Sequence, residues 1–112
     1  MPDTRETFTL EAAGTLSTGV KDRHQTAFSG DVTGLVGVVS AAPIDADLTA
    51  DVKLDGDVVG TLTIADGETE GELDLDDAVT FGKSQTFELD ITQVGSTDEG
   101  SDLEVTVAYT PR

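Results

Sequence analysis

The feature that most narrows what this chain can fold into is a strict two-residue alternation of apolar and polar side chains. Leu48, Ala50, Val52 and Leu54 alternate with Thr49, Asp51, Lys53 and Asp55. Phe87, Leu89 and Ile91 alternate with Glu88, Asp90 and Thr92, and Leu103, Val105, Val107 and Tyr109 with Glu104, Thr106 and Ala108. Successive side chains of a strand point to opposite faces, so each run is a strand with one buried face and one wetted face. Segments 47–55, 86–92 and 102–109 are therefore expected as strands. No stretch carries the three- and four-residue apolar spacing that a helix needs.

Further strands follow from weaker patterns. Segment 7–13 puts Phe8, Leu10 and Ala12 on one face. Segment 32–40 is apolar on both faces, as a central strand reads, with Gly34 and Gly37 marking a bulge or a close backbone approach. Segment 59–64 is another strand, and 71–75 with 79–81 is either one bulged strand or two short ones. Asp55-Gly56-Asp57 is a tight hairpin signal, because Asp-Gly supplies positive φ angles. Ala65-Asp66-Gly67 closes the next strand, the polar segment 95–100 links the last two, and Pro43 lies between strands where its missing N–H does no harm. Segment 17–29 shows no strand pattern. The expected architecture is all-β: a single β-sandwich, jelly-roll or immunoglobulin-like, of about seven or eight short antiparallel strands. It occupies 7–112 and is preceded by a flexible arm over 1–6.

Composition enters as the challenge to that fold. The 112 residues hold 23 Asp plus Glu against 6 Lys plus Arg, a formal net charge of −17. High net charge with few aromatics is the usual composition of disordered chains; the alternation argues for folding. At ordinary ionic strength such a surface repels itself. In molar salt the Debye length shrinks to about 3 Å and the repulsion is screened. Acid replacing lysine across a whole surface reads as adaptation to brine; the alternative is an acidic protein that binds cations or basic partners. The absence of a basic patch excludes recognition of nucleic acid through phosphate contacts. No run of 18 apolar residues and no charged-then-apolar start is present, so neither a membrane span nor a signal peptide is expected. The chain has no cysteine and hence no disulfide framework.

No catalytic pattern stands out, and no enzyme is expected. The one histidine, His24, sits in a polar stretch and reads as an exposed loop residue. Ser29 and Asp22 are the neighbours that a nucleophile–base–acid arrangement would have to use, but no nucleophile motif accompanies them. With 23 acids some carboxylate pair always has suitable spacing for glycoside hydrolysis, so spacing alone carries no signal. Asp45, Asp47, Asp51, Asp55, Asp57, Asp74, Asp76 and Asp77 offer hard oxygen ligands for calcium. An EF-hand loop starting at Asp45 would need glycine and glutamate where Ala50 and Gly56 stand, so that pattern fails. No phosphate-binding glycine motif is present. No metal and no cofactor is expected. Phe8, Phe28, Phe81, Phe87 and Tyr109 are the only aromatics, mostly on expected core faces, and no tryptophan is available as a sugar platform.

Several blocks of text resemble small β-sandwich structural proteins of tailed viruses, such as head decoration, head fibre or tail modules. The blocks are 13–19 with 28–35, Ala42-Pro43 followed by 47–56, then 60–69, and finally 90–97 with 100–107. Phe81-Gly82-Lys83-Ser84 departs from the Gly-Asp turn usual there. The resemblance implies a virion structural protein that decorates or stabilises the capsid. Its partners would be the major capsid protein or other virion proteins, and it would assemble in the host cytoplasm as a homo-oligomer, with a trimer favoured. With the acidic surface, it implies a virus of a halophilic archaeon. The alternative is a receptor- or glycan-binding module on a virus tail or cell surface, which exposed aromatics would favour. Contacts are expected from the arm over 1–6 or from Lys21, Arg23 and His24, the locally basic stretch that an acidic partner could approach.

The brine reading has a direct consequence. The melting temperature should rise between ~0.1 M and ~3 M NaCl as screening removes the repulsion. An unchanged melting temperature by calorimetry would refute it.

Overall fold

A computed structural model describes residues 6–112. Among the described residues eight strands follow one another without a helix: β1 (Glu6–Thr15), β2 (Gly19–Gln25), β3 (Gly30–Val38), β4 (Leu48–Leu54), β5 (Asp57–Ile64), β6 (Glu70–Phe81), β7 (Thr86–Gln93) and β8 (Ser101–Pro111). They form two four-stranded sheets of order β1-β8-β3-β6 and β2-β7-β4-β5, antiparallel throughout. Only β4 and β5 are joined as a hairpin within one sheet; every other connection crosses to the facing sheet. That order is the jelly roll, which decides between the two expected topologies.

The alternating runs lie where burial on one side demands them. Phe87, Leu89 and Ile91 of β7 and Leu103, Val105 and Val107 of β8 are all at most 2 % exposed. β7 and β8 are interior strands of facing sheets, and their inner faces meet Leu10, Val32, Leu35, Val52, Leu62 and Ile64 in one core. β3 is central in its sheet, between β8 and β6, and its register shifts between Val32 and Gly34. Gly37 is a close approach: a side chain there would run into Leu62 of the facing sheet.

The turn signals hold in detail. Asp55 and Gly56 have φ of 50° and 91°, and Leu54 pairs with Asp57 around them. Two consecutive positive φ angles define the hairpin turn whose twist matches its strands. The Asp55 carboxylate accepts the Thr86 N–H and the Gln85 Nε2 at 2.9 Å each, tying this hairpin to the start of β7. Those bonds hold its carboxyl below the ordinary carboxylate value, the Thr86 N–H most strongly.

Three expectations need correction or refinement. Segment 19–25, read without a strand, is edge strand β2, paired to β7 from Gly19 to Gln25. It lacks apolar alternation because its inward positions include Asp22 and His24, and a register shift between Val20 and Asp22 breaks the period. Segments 71–75 and 79–81 belong to a single strand, β6. Its register against β3 jumps from Val32–Val79 to Gly34–Asp74, which leaves residues 75–78 as a large bulge. Glu6, placed in the expected arm, is the first residue of β1 and pairs with Tyr109; residues 1–5 of that arm lie outside the described residues.

Candidate functional site

One end of the sandwich, where edge strands β1 and β2 meet, gathers nearly all the aromatic side chains. Phe8 projects inward from β1 and its ring lies 5.0 Å from Phe87 and 5.9 Å from Tyr109, centroid to centroid. Phe81, at the end of β6, stands edge-on to Phe87 at 5.2 Å and to Tyr109 at 5.4 Å. Tilted and edge-on contacts at such distances are the favoured aromatic geometries. Gly30 permits the assembly, because a Cβ there would meet the Phe81 and Tyr109 rings at 2.9 Å.

His24 completes the cluster and corrects its expected place. It is a half-buried residue of strand β2, not an exposed loop residue, and its ring stacks on Phe8 at 4.3 Å with a 10° interplanar angle. The stack closes the seam between the two edge strands. Asp22, its nominal acid partner, accepts instead the Glu11 N–H and the Arg23 N–H, each at 2.8 Å. The imidazole is thus a wall of the cluster.

Beside this wall lies a cavity of about 270 Å³ lined by Thr7, Phe8, His24, Gln25, Thr26, Ala27, Phe28, Phe81 and Tyr109. Phe81 and Tyr109 form its buried back. Phe28, in the loop between β2 and β3, stands at its rim and is 63 % exposed. Of the rings around the cavity, Phe28 is the one that the core leaves exposed.

The loop that carries Phe28 is pinned at both ends. Buried Thr26 donates its hydroxyl to the Gly82 carbonyl at 2.6 Å, and its N–H bonds the Gln85 carbonyl at 2.9 Å. Ser84 N–H returns to the Thr26 carbonyl at 2.9 Å. At the other end Arg112 N–H bonds the Ser29 carbonyl at 3.1 Å, while the Arg112 guanidinium pairs with Asp31. The Thr80 hydroxyl, and then Arg112, hold the Asp31 carboxyl below its ordinary value. On the far wall the Tyr109 hydroxyl donates to Glu6 at 3.1 Å. Burial foremost, and then Glu6, push the Tyr109 phenol up.

The basic stretch divides. Lys21 bonds Ser17 Oγ at 2.7 Å, Arg23 pairs with Glu88 at 3.2 Å on the outer side of its sheet, and His24 turns inward to Phe8. Lys21 and Arg23 are exposed and separate from the cavity wall that His24 builds. Among the described residues no three His, Asp or Glu side chains cluster to hold a metal ion. The acids near Asp45 brace turns instead: Asp66 accepts the Asp45 N–H, Asp47 accepts the Asp66 N–H, and Asp45 accepts the Thr97 hydroxyl.

No family model matches the sequence, and no curated protein matches it. Solved structures share the fold at low identity. A carbohydrate-binding module of family 36, in complex with calcium and xylotriose, superposes with a TM-score of 0.51 at 16 % identity, over 89 % of this chain and 76 % of that one. The CBM36-1 domain of a multidomain xylanase from the hindgut metagenome of Trinervitermes trinervoides gives 0.52 at 15 % identity, over 96 % and 98 %. The Drosophila NLP core, described for pentamer formation and histone binding, gives 0.52 at 14 % identity, over 91 % and 96 %. These identities establish the sandwich fold and nothing finer.

Aromatic clustering at one end was not legible in the strand periodicity, which places side chains on a face but not at a height along the sandwich. Phe28 carried one usable signal: an aromatic outside any alternating run.

The pinning predicts that Thr26→Val, which keeps the shape and removes the hydroxyl, destabilises the fold by about 1–3 kcal/mol, whereas Thr26→Ser is near neutral. Chemical denaturation of the two variants checks this; equal stability would mean the hydroxyl does not hold the loop.

Proposed function

We propose that this chain is a non-catalytic glycan-binding module whose contact site is the aromatic-lined cavity at the β1–β2 end of the sandwich. The observation that carries this reading is Phe28, exposed at the rim of a cavity whose walls are Phe8, His24 and Tyr109. The apolar faces of pyranose rings pack against aromatic rings, and a few polar groups around them fix orientation. Thr7 and Gln25 supply such groups at the rim. The fold likeness to carbohydrate-binding modules supports the reading without specifying a sugar. Catalysis finds no support in His24, whose ring is stacked on Phe8. Phe28→Ala should leave the melting temperature unchanged and weaken sugar binding tenfold or more by calorimetric titration. Undiminished binding by a folded variant would sink this placement of the site.

A structural role in a virion, which the sequence resemblance implies, is the second reading, and the outer face of β3 is where it would make contact. Val36 and Val38 are 40 % and 46 % exposed on the outer face of central strand β3, ringed by Glu70, Glu72 and Glu104. Capsid decoration by a trimer would bury these valines against another copy. Sedimentation velocity then finds a trimer that Val38→Asp dissociates; a monomer at tens of micromolar concentration would overturn it.

A further inference from the structure

We infer that the outer face of β3 and β6 is a docking surface for an extended basic segment of another protein, one that carries Lys or Arg at every second residue.

Strands that are apolar on both faces are ordinarily covered on both. The chain covers only the inner face of β3: Val32 and Leu35 are buried, whereas Val36 and Val38 stand 40 % and 46 % exposed. Beside these valines the register sets a column of acids. Val38 lies between Glu70 and Glu104, Val36 lies next to Glu72, and Gly34 next to Asp74. Glu70, Glu72 and Asp74 are alternate residues of one strand, so they point to one side and repeat every ~6.7 Å. Val36, Glu70, Gly71 and Glu72 line a hollow of about 220 Å³ on this face.

Among the described residues these carboxylates have no ion pair. Nor do they brace a backbone N–H, as Asp22, Asp55, Asp66 and Asp102 do. The described Lys and Arg are placed elsewhere. Lys21, Arg23 and Lys53 belong to the other sheet. Lys83 follows Phe81, which pairs with Gly30, and Arg112 pairs with Asp31, so both lie at the other end of β3 from Val38. Carboxylates gathered without a cation build a negative potential over the valines, and that potential draws a cationic partner.

A Lys or Arg side chain answers both features at once. Its aliphatic stem lies on the valines while its charged head reaches a carboxylate. An extended segment repeats its like-facing side chains every ~6.7 Å as well, so one laid along β6 matches the acid column. A second copy offering this same face would set carboxylate on carboxylate. The surface is separate from the aromatic cavity, which gathers at the Gly30 end of β3.

The test is calorimetric titration of the intact chain with a nonapeptide of alternating Lys and Thr, and with a peptide of the same composition whose lysines form one block. The alternating peptide should bind at least fivefold more tightly, and its affinity should fall between ~0.15 M and ~1 M salt. Glu70→Gln with Glu72→Gln should weaken it at least tenfold. Asp51→Asn with Asp57→Asn, which removes the same charge from the other sheet, should change it less than twofold. Val36→Ser with Val38→Ser should weaken it at unchanged charge, and amide shifts should centre on 34–38 and 70–74. Equal affinity for the two peptides, or equal loss in the two charge-removing variants, would reduce the attraction to overall charge and overturn the inference. So would no binding at the lower salt, or self-association that Val38→Asp abolishes, which would give the face to a second copy. None of these outcomes bears on glycan binding at the cavity.

Discussion

Everything in this molecule depends on one interface, the face-to-face packing of two antiparallel sheets whose inner sides are almost wholly apolar. Phe87, Leu89 and Ile91 on one sheet and Leu103, Val105 and Val107 on the other are its centre. Each fully buried side chain of this kind is worth about 1.5–3 kcal/mol. Against it stands a surface of net charge −17. The ion pairs Arg23–Glu88, Lys53–Asp90 and Arg112–Asp31 are all partly exposed, and solvent screening leaves such pairs little to contribute. Burial, not charge pairing, keeps the two sheets together.

Because nearly every connection crosses between sheets, the loops collect at the two ends and tie one sheet to the other. Thr26 joins the β2–β3 loop to the β6–β7 loop, and Asp55 joins the β4–β5 hairpin to β7 at the same end. The aromatic cluster sits within this knot. A site built there has rigid walls on loops that the core holds in place, which is where binding residues are expected on a β scaffold.

The acids are more than a diffuse coat. Many carboxylates are acceptors for specific backbone N–H groups: Asp22 for Glu11, Asp55 for Thr86, Asp66 for Asp45 and Asp102 for Gly14. The Gly14 N–H and the Ser40 hydroxyl hold Asp102 below the ordinary carboxylate value. Aspartate thus serves twice, as a hydrated surface charge and as a brace for turns and strand ends.

The sequence by itself determined the strands whose two faces differ: β4, β7 and β8 are written in their alternation, and the Asp55-Gly56 turn in its chemistry. Those signals are local, because side-chain direction along a strand and φ at a turn depend on neighbours in the chain. It did not determine β2, whose inward positions carry Asp22 and His24. An edge strand takes its partner from elsewhere in the chain, and its own residues need no apolar period. Nor did it place the bulge at residues 75–78 or choose the jelly roll, which depend on register between strands far apart in sequence. The candidate site belongs wholly to tertiary structure. Phe8, His24, Phe28, Phe81 and Tyr109 come from strands and loops up to a hundred residues apart, and only the crossing of the chain between two sheets brings them to one end.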